Sequence, residues 1–551
     1  MPYEQILSSV DGKPDRKETM TTTQPATGGS DQTGSDGTPD ARKLRTILIA
    51  VSIALMAVIA SVTGLNVAQT HMAVEFSASQ STILWIINIY TLTLAALLLP
   101  LGAIADRLGR KPMLVAGLGV FGIANLVAGL APTAEVMLAA RVAAGVGAAM
   151  IMPITLAVIT STFPVDQRSK AIGVWTGVAG GGGILGMFLS ALLVDVADWR
   201  WLFALPVALV LVALAMTLTS VPNSHEKSVH RFDTVGALVS TVAVISLIFM
   251  LQEGPERGWT DPATVVSLVV GLLTAAGFVI WELRRRDAAL LDVRLFREGS
   301  LAGGSITLLV VFGVQAGISV VMFPFFQAVL GWSGLLSTVA MMPMAGIMML
   351  SSGLAPLLAA RVGVRSTMAT GIAIAGLGMA LMALFVSVDG GFLSILPGML
   401  AMGIGMGLSM TPSTEAITAS LPREKQGVAS ALNDVTREFG TALGIALLGA
   451  LVSAGYRSAI EDRLGGIPEA AAETAREGIA NATSVAPSTG PYAEDLVRAA
   501  QQSFVDGWQQ AMWAGTAVMG VLFIYIALRG PKTMPRSGNE ETVAAELAAA
   551  P

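Results

Sequence analysis

Gly102-Ala103-Ile104-Ala105-Asp106-Arg107-Leu108-Gly109-Arg110-Lys111 lies between two long apolar runs, and it places one acid, three bases and two glycines where one hydrophobic helix ends and the next begins. Glycines let two helix ends approach closely. Lys and Arg hold a short loop on the inner side of a bilayer, and an acid suits the positive end of a neighbouring helix. The stretch therefore reads as a hairpin between two membrane helices. Gly102, Asp106, Arg107, Gly109, Arg110 and Lys111 form its candidate gating loop.

The composition agrees. The chain has 551 residues, of which 53% are hydrophobic and only 13% charged, with a mean hydropathy of +0.69, too apolar for a soluble multidomain protein. A net charge of −5 gives no basic footprint for nucleic acid. Zero cysteines exclude disulfides, thiolate metal sites and thiol catalysis. His71, His225 and His230 all fall outside the apolar runs, so none is placed as an intramembrane proton relay. No nucleophile triad, metal cluster or cofactor loop is visible, and the expectation is a protein that is not an enzyme and needs no cofactor.

Apolar runs of about 18–25 residues, the length that spans a bilayer, recur fourteen times, at 46–66, 82–103, 112–131, 136–160, 169–194, 200–220, 235–252, 263–282, 301–327, 334–358, 366–387, 393–416, 427–454 and 508–528. Most of the 33 Lys and Arg residues fall in the tails and in alternate loops, which puts both termini on the cytoplasmic side. The segment Gly353 to Arg365 after the tenth run echoes Gly102 to Lys111 after the second, as parallel repeats would. The expected organisation is a cytoplasmic tail (1–44), a first six-helix half (45–220), two inserted helices with their loops (221–298), a second six-helix half (299–529) and a second tail (530–551). The tails are too polar to fold alone. An outer loop at about 455–507 carries Ala/Glu/Arg stretches that suit short surface helices.

A charge near the bilayer centre costs roughly 2.5–3.5 kcal/mol, so each one needs a reason. Arg141, in the fourth run beside Gly145 and Gly147, is either a fixed positive charge that tunes a nearby carboxylate or holds an anionic group, or a side chain reaching to the outer interface. In the thirteenth run Asp434, Arg437 and Glu438 share one helical face, beside Asn433. Two acids and one base there could take up a proton; equally, Asn433 and Arg437 with Asp434 could lock an inner gate. Glu415 near the inner end of the twelfth run is a further proton-coupling candidate. The fifth run carries Gly177, Gly180, Gly183 and Gly186, with no Lys-Ser/Thr after them; close packing and bending, not phosphate binding, explain such glycines. Ser61, Asn88, Tyr90, Gln315, Phe325 and Gln327 are candidates to line a cavity for a small amphipathic molecule. The methionines crowded at Met341 to Met349 suit either an adaptable ligand surface or ordinary packing.

The pattern Gly-x-x-x-Asp-Arg-x-Gly-Arg-Lys resembles the loop signature of the major facilitator superfamily. With Trp85 to Tyr90, Ile151-Met152-Pro153, the glycine-rich fifth run and Leu291 to Phe296, nearly all of residues 45–530 resembles its fourteen-helix drug:proton antiporters, quaternary-ammonium pumps in particular. The resemblance implies an all-α integral membrane fold of two six-helix halves plus two inserted helices. It also implies efflux of drugs or antibiotics from the plasma membrane by a monomer that uses the proton gradient, with Arg141 in the fourth-helix motif. Independently of the resemblance, the thirteenth run starts on the side of Asp106 and presents a partial positive charge to it, a contact expected to close the cytoplasmic side. Two departures bear on the cargo: those pumps carry acids where this chain has Ser61 and Asn88. Neutral or anionic compounds gain weight accordingly, and a dedicated metabolite transporter or a non-transporting sensor or lipid-handling protein are the alternatives.

Overall fold

The computed structural model describes residues 41–63, 65, 68–223, 232–285, 288–297 and 299–531. Among these the chain forms helices and turns, with no strand. In order they are α1 (Ala41–Thr63), α2 (Gln69–Glu75), α3 (Gln80–Leu108), α4 (Arg110–Gly129), α5 (Ala134–Thr162), α6 (Val165–Val196), α7 (Ala204–Ser220), α8 (Thr234–Arg257), α9 (Pro262–Arg285), α10 (Gly299–Pro324), α11 (Gly334–Val362), α12 (Val364–Phe385), α13 (Gly391–Ala419), α14 (Gln426–Glu461), α15 (Glu469–Glu477), α16 (Ile479–Val485) and α17 (Ala493–Arg529). Fourteen stretches are long and apolar enough to cross a membrane. Most of the tail sequence, together with His225 and His230, lies outside the described residues, whereas Ala41–Leu44 already belong to α1 and His71 lies on α2.

The helices start and stop where the chain supplies the right groups. Ser79, Thr133, Asp233 and Ser333 each accept a backbone N–H from the first turn of α3, α5, α8 and α11, the N-cap geometry that satisfies an otherwise orphaned donor. Gly109 joins α3 to α4 at φ 105°, and Gly363 joins α11 to α12 at φ 90°, a conformation open to glycine at little cost. The two turns also share a clasp. Lys111 Nζ donates to the Leu218 carbonyl at the end of α7, 2.8 Å, and Arg365 Nε donates to Gly530 at the end of α17, 2.7 Å. In both, a base just past the glycine binds the last carbonyls of another helix, where the helix dipole favours it. The sequence echo thus has a geometric counterpart.

Two helices outrun their apolar cores. α14 continues to Glu461, past the expected 454, and α17 begins at Ala493, ahead of the expected 508. Ala, Glu, Gln and Arg favour helix while being too polar to count as membrane sequence, so hydrogen bonding carries on where hydropathy stops. Between them α15 and α16 fold over the end of the bundle: Tyr456 Oη donates to the Ala475 carbonyl at 2.8 Å and Arg476 pairs with Glu461 and Glu469.

Burial is graded around the bundle. α5 is the most enclosed span and α9 the least, with Val266, Leu272 and Leu273 facing outward as a lipid-facing helix requires. α6 is one continuous helix through Gly177, Gly180, Gly183 and Gly186. Gly177 packs on the Met349 backbone and Gly180 on the Met348 side chain of α11. Met341, Met344 and Met348 are buried in the core, which makes packing the role of these three.

Candidate functional site

At the end of the bundle that holds the 102–111 loop, α3 meets α14. A methyl group added to Gly102 would lie 2.6 Å from the Gly427 carbonyl oxygen, so the two backbones touch as only glycine permits. That approach sets Asp106 against the start of α14. Its carboxylate accepts the Gly427 N–H at 2.8 and 2.9 Å and the Val428 N–H at 3.2 Å, and Arg110 lies 3.2 Å from the same group. These are first-turn donors with no partner inside their own helix, and the dipole there favours an anion. Arg107 lies over the Phe232 ring at 5.4 Å. Nearby, Ser169 of α6 donates to Glu415 of α13, and Ser352 of α11 bridges the Gly173 carbonyl of α6 at 3.0 Å to Thr411 of α13 at 2.7 Å. α3 with α14, and α6 with α11 and α13, are therefore in direct contact at this end.

Further along the bundle Arg141 is completely buried, which rules out the reach to the outer interface. Its Nη1 donates to Ser61 Oγ at 2.9 Å, Nη2 to the Ser61 carbonyl at 3.3 Å and Nε to the Ile86 carbonyl at 3.3 Å, and its guanidinium lies 4.2 Å from the centre of the Tyr90 ring. Ser61 lies in the last turn of α1, whose carbonyls lack helical partners, so Arg141 completes the end of that helix. Ser61 in turn donates to Asn125 at 3.1 Å, and Tyr90 Oη reaches the Val58 carbonyl at 3.2 Å. Gly145 lets α5 lie against the Tyr90 carbonyl and Thr93, and Gly147 lets it lie against Phe121. No carboxylate pairs with Arg141 among the described residues.

On α14 the arrangement is the reverse. Asp434 is fully buried, bonded through one oxygen to Arg437 Nη1 at 3.3 Å and to Asn433 Nδ2 at 3.2 Å. Arg437 is flanked by the Phe312 ring at 4.4 Å and the Trp175 ring at 5.4 Å, the latter anchored by a 3.0 Å bond to Thr155. Asp434 Oδ2, Asn433 Oδ1, Ser430 Oγ and Arg437 Nε are buried without a partner among the described residues. One turn on, half-buried Glu438 opens onto a cavity of about 690 Å³. The cavity runs along α14 from Glu438 to Arg457, with Asn88 and Thr91 of α3 and Gln252 and Trp259 of the α8 region as further walls, toward the end opposite Asp106.

Of the residues expected to line a cavity, Asn88 lines this one. Ser61 and Tyr90 are committed to Arg141. Gln315 donates to the Gly180 carbonyl at 3.2 Å. Phe325 is buried against Trp508 and Phe326 in an aromatic cluster, and Gln327 is exposed in the π-turn that follows α10. Sequence reading missed Asn125, Ser169, Trp175, Ser352 and Trp259. A hydroxyl or aromatic residue in an apolar helix carries no mark of the distant partner it meets. Outside the spans, Arg294 holds the Asp292 carboxyl below the usual carboxylate range through bonds of 2.8 and 2.9 Å. Among the described residues no cluster of His, Asp and Glu could hold a metal ion.

Among the described residues, fourteen membrane-length helices with charged side chains buried among them and a cavity along one define a polytopic helical membrane protein. The chain belongs to the major facilitator superfamily, whose profile matches residues 49–445. It is 29% identical over 487 residues to the multidrug resistance protein Stp of Mycobacterium tuberculosis (87% of this chain, 90% of that one). It is also 30% identical over 508 residues to the multidrug efflux pump LfrA of Mycolicibacterium smegmatis (89% and 97%). Among solved structures, the proton:xylose symporter XylE superposes with a TM-score of 0.59 at 14% identity, covering 92% of this chain and 100% of that one.

Proposed function

We propose that this chain is a proton-coupled efflux transporter of the plasma membrane, with both termini cytoplasmic, exporting small amphipathic compounds as a monomer. The two six-helix halves (45–220 and 299–529) rock about the cavity. The Asp106 end is the cytoplasmic end and is shut in this conformation by the α3–α14 contact and by the α6–α11–α13 hydroxyl chain, with the cavity leading outward. The single observation that carries the reading is Glu438, a carboxyl on the wall of the cavity one turn from the buried Asp434–Arg437 pair. There a proton and a cargo molecule compete for one neighbourhood, which is how exchange is enforced. Asp434, Glu438 and Glu415 are the proton-site candidates, and Arg141 is the fixed positive charge of the proton-coupling set. Asn433 and Arg437 lock the inner gate, and the loop Gly102 to Lys111 closes it.

The names of the relatives, multidrug resistance and efflux proteins, and the proton coupling typical of the superfamily support this reading. Glu438 also bears on the cargo. The acids missing at Ser61 and Asn88 weakened the case for cations, and an acid from α14 restores a negative group to the cavity. No cofactor is required: one charge moving inward is worth about 2.3 kcal/mol per 100 mV, enough for roughly fortyfold accumulation. The test is the purified chain in proteoliposomes, with lumenal pH followed while cationic, neutral and anionic compounds are added. Proton movement opposite to the compound, abolished by collapsing the gradient, is the expected result. Transport indifferent to the gradient would overturn the proposal.

A further inference from the structure

The segment Gln252-Glu253-Gly254-Pro255-Glu256-Arg257-Gly258-Trp259 closes the inserted helix α8 and turns toward α9. Along its middle, α8 is seated on α3, with Val244 and Ile248 against Leu92, Ala95 and Ala96, and Phe249 on Trp85 at 5.8 Å. From Ile248 onward it also forms a wall of the Glu438 cavity, through Ile248, Leu251, Gln252 and Pro255. Gly258 then reverses the chain at φ 98°, a backbone state that L side chains rarely adopt. Asp261 fixes the turn from the far side: its N–H donates to the Gly258 carbonyl at 3.2 Å and its carboxylate accepts the Ala263 N–H at 3.0 Å.

The reversal folds Trp259 back onto α8. A methyl group at Gly254 would lie 2.6 and 2.7 Å from atoms of the indole, so the ring rests on that glycine and only a glycine leaves room for it. The indole remains 46% exposed and is part of the cavity lining. One surface of the ring is thus seated on the helix, and the ring borders the same space as Glu438. Two glycines, each needed for a different reason, hold a flat aromatic surface at the mouth of the cavity. A Trp placed only to anchor a helix at the membrane interface has no use for such a seat.

We infer that Trp259 is a specificity-determining residue of the transport cavity, a stacking platform for a planar aromatic ring in the cargo. This inference rests on the export function proposed above. Stacking on an indole rewards flat π-systems, cationic ones most, and gives little to a flexible alkyl chain. The experiment reconstitutes the full chain and compares export of ethidium, a flat aromatic cation, with that of dodecyltrimethylammonium, a cation without a ring. W259L is expected to lower the ethidium-to-alkylammonium ratio of kcat/KM about tenfold, equivalent to about 1.4 kcal/mol, mainly through KM. W259F should retain most of the ratio. G254A, which keeps the tryptophan but pushes its ring off the seat on α8, should lower the ratio in the same direction. An unchanged ratio in W259L and G254A would overturn the inference, whether or not overall rates fall, and would leave Trp259 as an interface anchor. Wild-type protein that exports the alkylammonium alone would overturn it too, with the export function intact. Wild-type protein that moves neither probe, nor any other compound, would defeat the export function and this inference with it.

Discussion

Arg141 and the Asp434–Glu438 stretch are both charged groups buried in helices, and they are built in opposite ways. Arg141 has no acid beside it among the described residues, yet each of its three guanidinium nitrogens has an oxygen to donate to and its face covers Tyr90. The α14 cluster has the opposite sign close at hand but leaves an oxygen of Asp434, an oxygen of Asn433 and Nε of Arg437 without partners among the described residues. A charge with an acceptor at each of its nitrogens is held in one arrangement. A cluster with spare donors and acceptors has several, because a proton, a water or a cargo group can complete it in different ways. The difference sets a satisfied site against an unsatisfied one: Arg141 ties α5 to α1 and α3, while α14 carries groups with bonds still to make, and on the function proposed above the first is the fixed element and the second the moving one.

The largest effect is expected where a buried pair is broken. Asp434→Asn removes the charge facing Arg437 and should cost about 3–5 kcal/mol, the usual penalty for an unpaired buried ion. D434N with R437Q together should recover a good part of it. Thermal unfolding in detergent measures both; if the double variant is no better than the single, α14 is as rigidly committed as Arg141 and the contrast fails. Next, Arg141→Lys keeps the charge but offers one ammonium in place of a planar fork aimed at Ser61 and Ile86. Hydrogen bonds to a charged group are worth about 1.5–3 kcal/mol, and lysine cannot keep all three, so a loss of about 2–3 kcal/mol is expected, with no second-site partner able to repair it. A lysine variant as stable as the parent would show that the charge alone is what α5 needs.

The fold was legible where one physical quantity dominates. Span length fixed the helix count, because a bilayer demands about 20 apolar residues from each crossing. It misplaced the ends of α14 and α17, where helix propensity outlasts hydropathy. Arg141 and Asp434 stood out because charge in an apolar run is costly. Their partners did not. Ser61 bonds Arg141 across 80 residues of chain, whereas Ser409 and Thr176 bond only the carbonyl one turn back in their own helices; nothing in the local sequence tells these apart. Trp259 was hidden for the same reason, since its position depends on the reversal at Gly258 and the space left by Gly254. Phe325 packs in an aromatic cluster and Gln327 is exposed in the π-turn after Pro324, surroundings that local sequence does not announce.

Ser61→Ala takes one bond from Arg141 and leaves the Ser61 carbonyl and the Ile86 carbonyl in place, so a fixed site should lose about 1.5–2 kcal/mol, the low end for one bond to a charged group. Thermal unfolding reads that loss directly. A fall of several kcal/mol would mean that the hydroxyl and Asn125 behind it act as one unit with Arg141.

Glu438→Gln should be the mildest change in stability and the most informative in transport. The side chain is half-buried beside open space, and the amide keeps its shape, so the cost is expected to stay under about 1 kcal/mol. The amide cannot exchange a proton in the physiological range. If Glu438 carries the coupled proton, E438Q still binds cargo and lets it cross by exchange between equal pools, but a pH gradient no longer drives accumulation. If Asp434 carries it, E438Q keeps gradient-driven export and D434N rescued by R437Q loses it. Counterflow at equal pH compared with uptake driven by a gradient separates the two outcomes. Either one keeps the moving charge on α14; a variant set in which only Arg141 substitutions uncouple transport would transfer that role to the site here read as fixed.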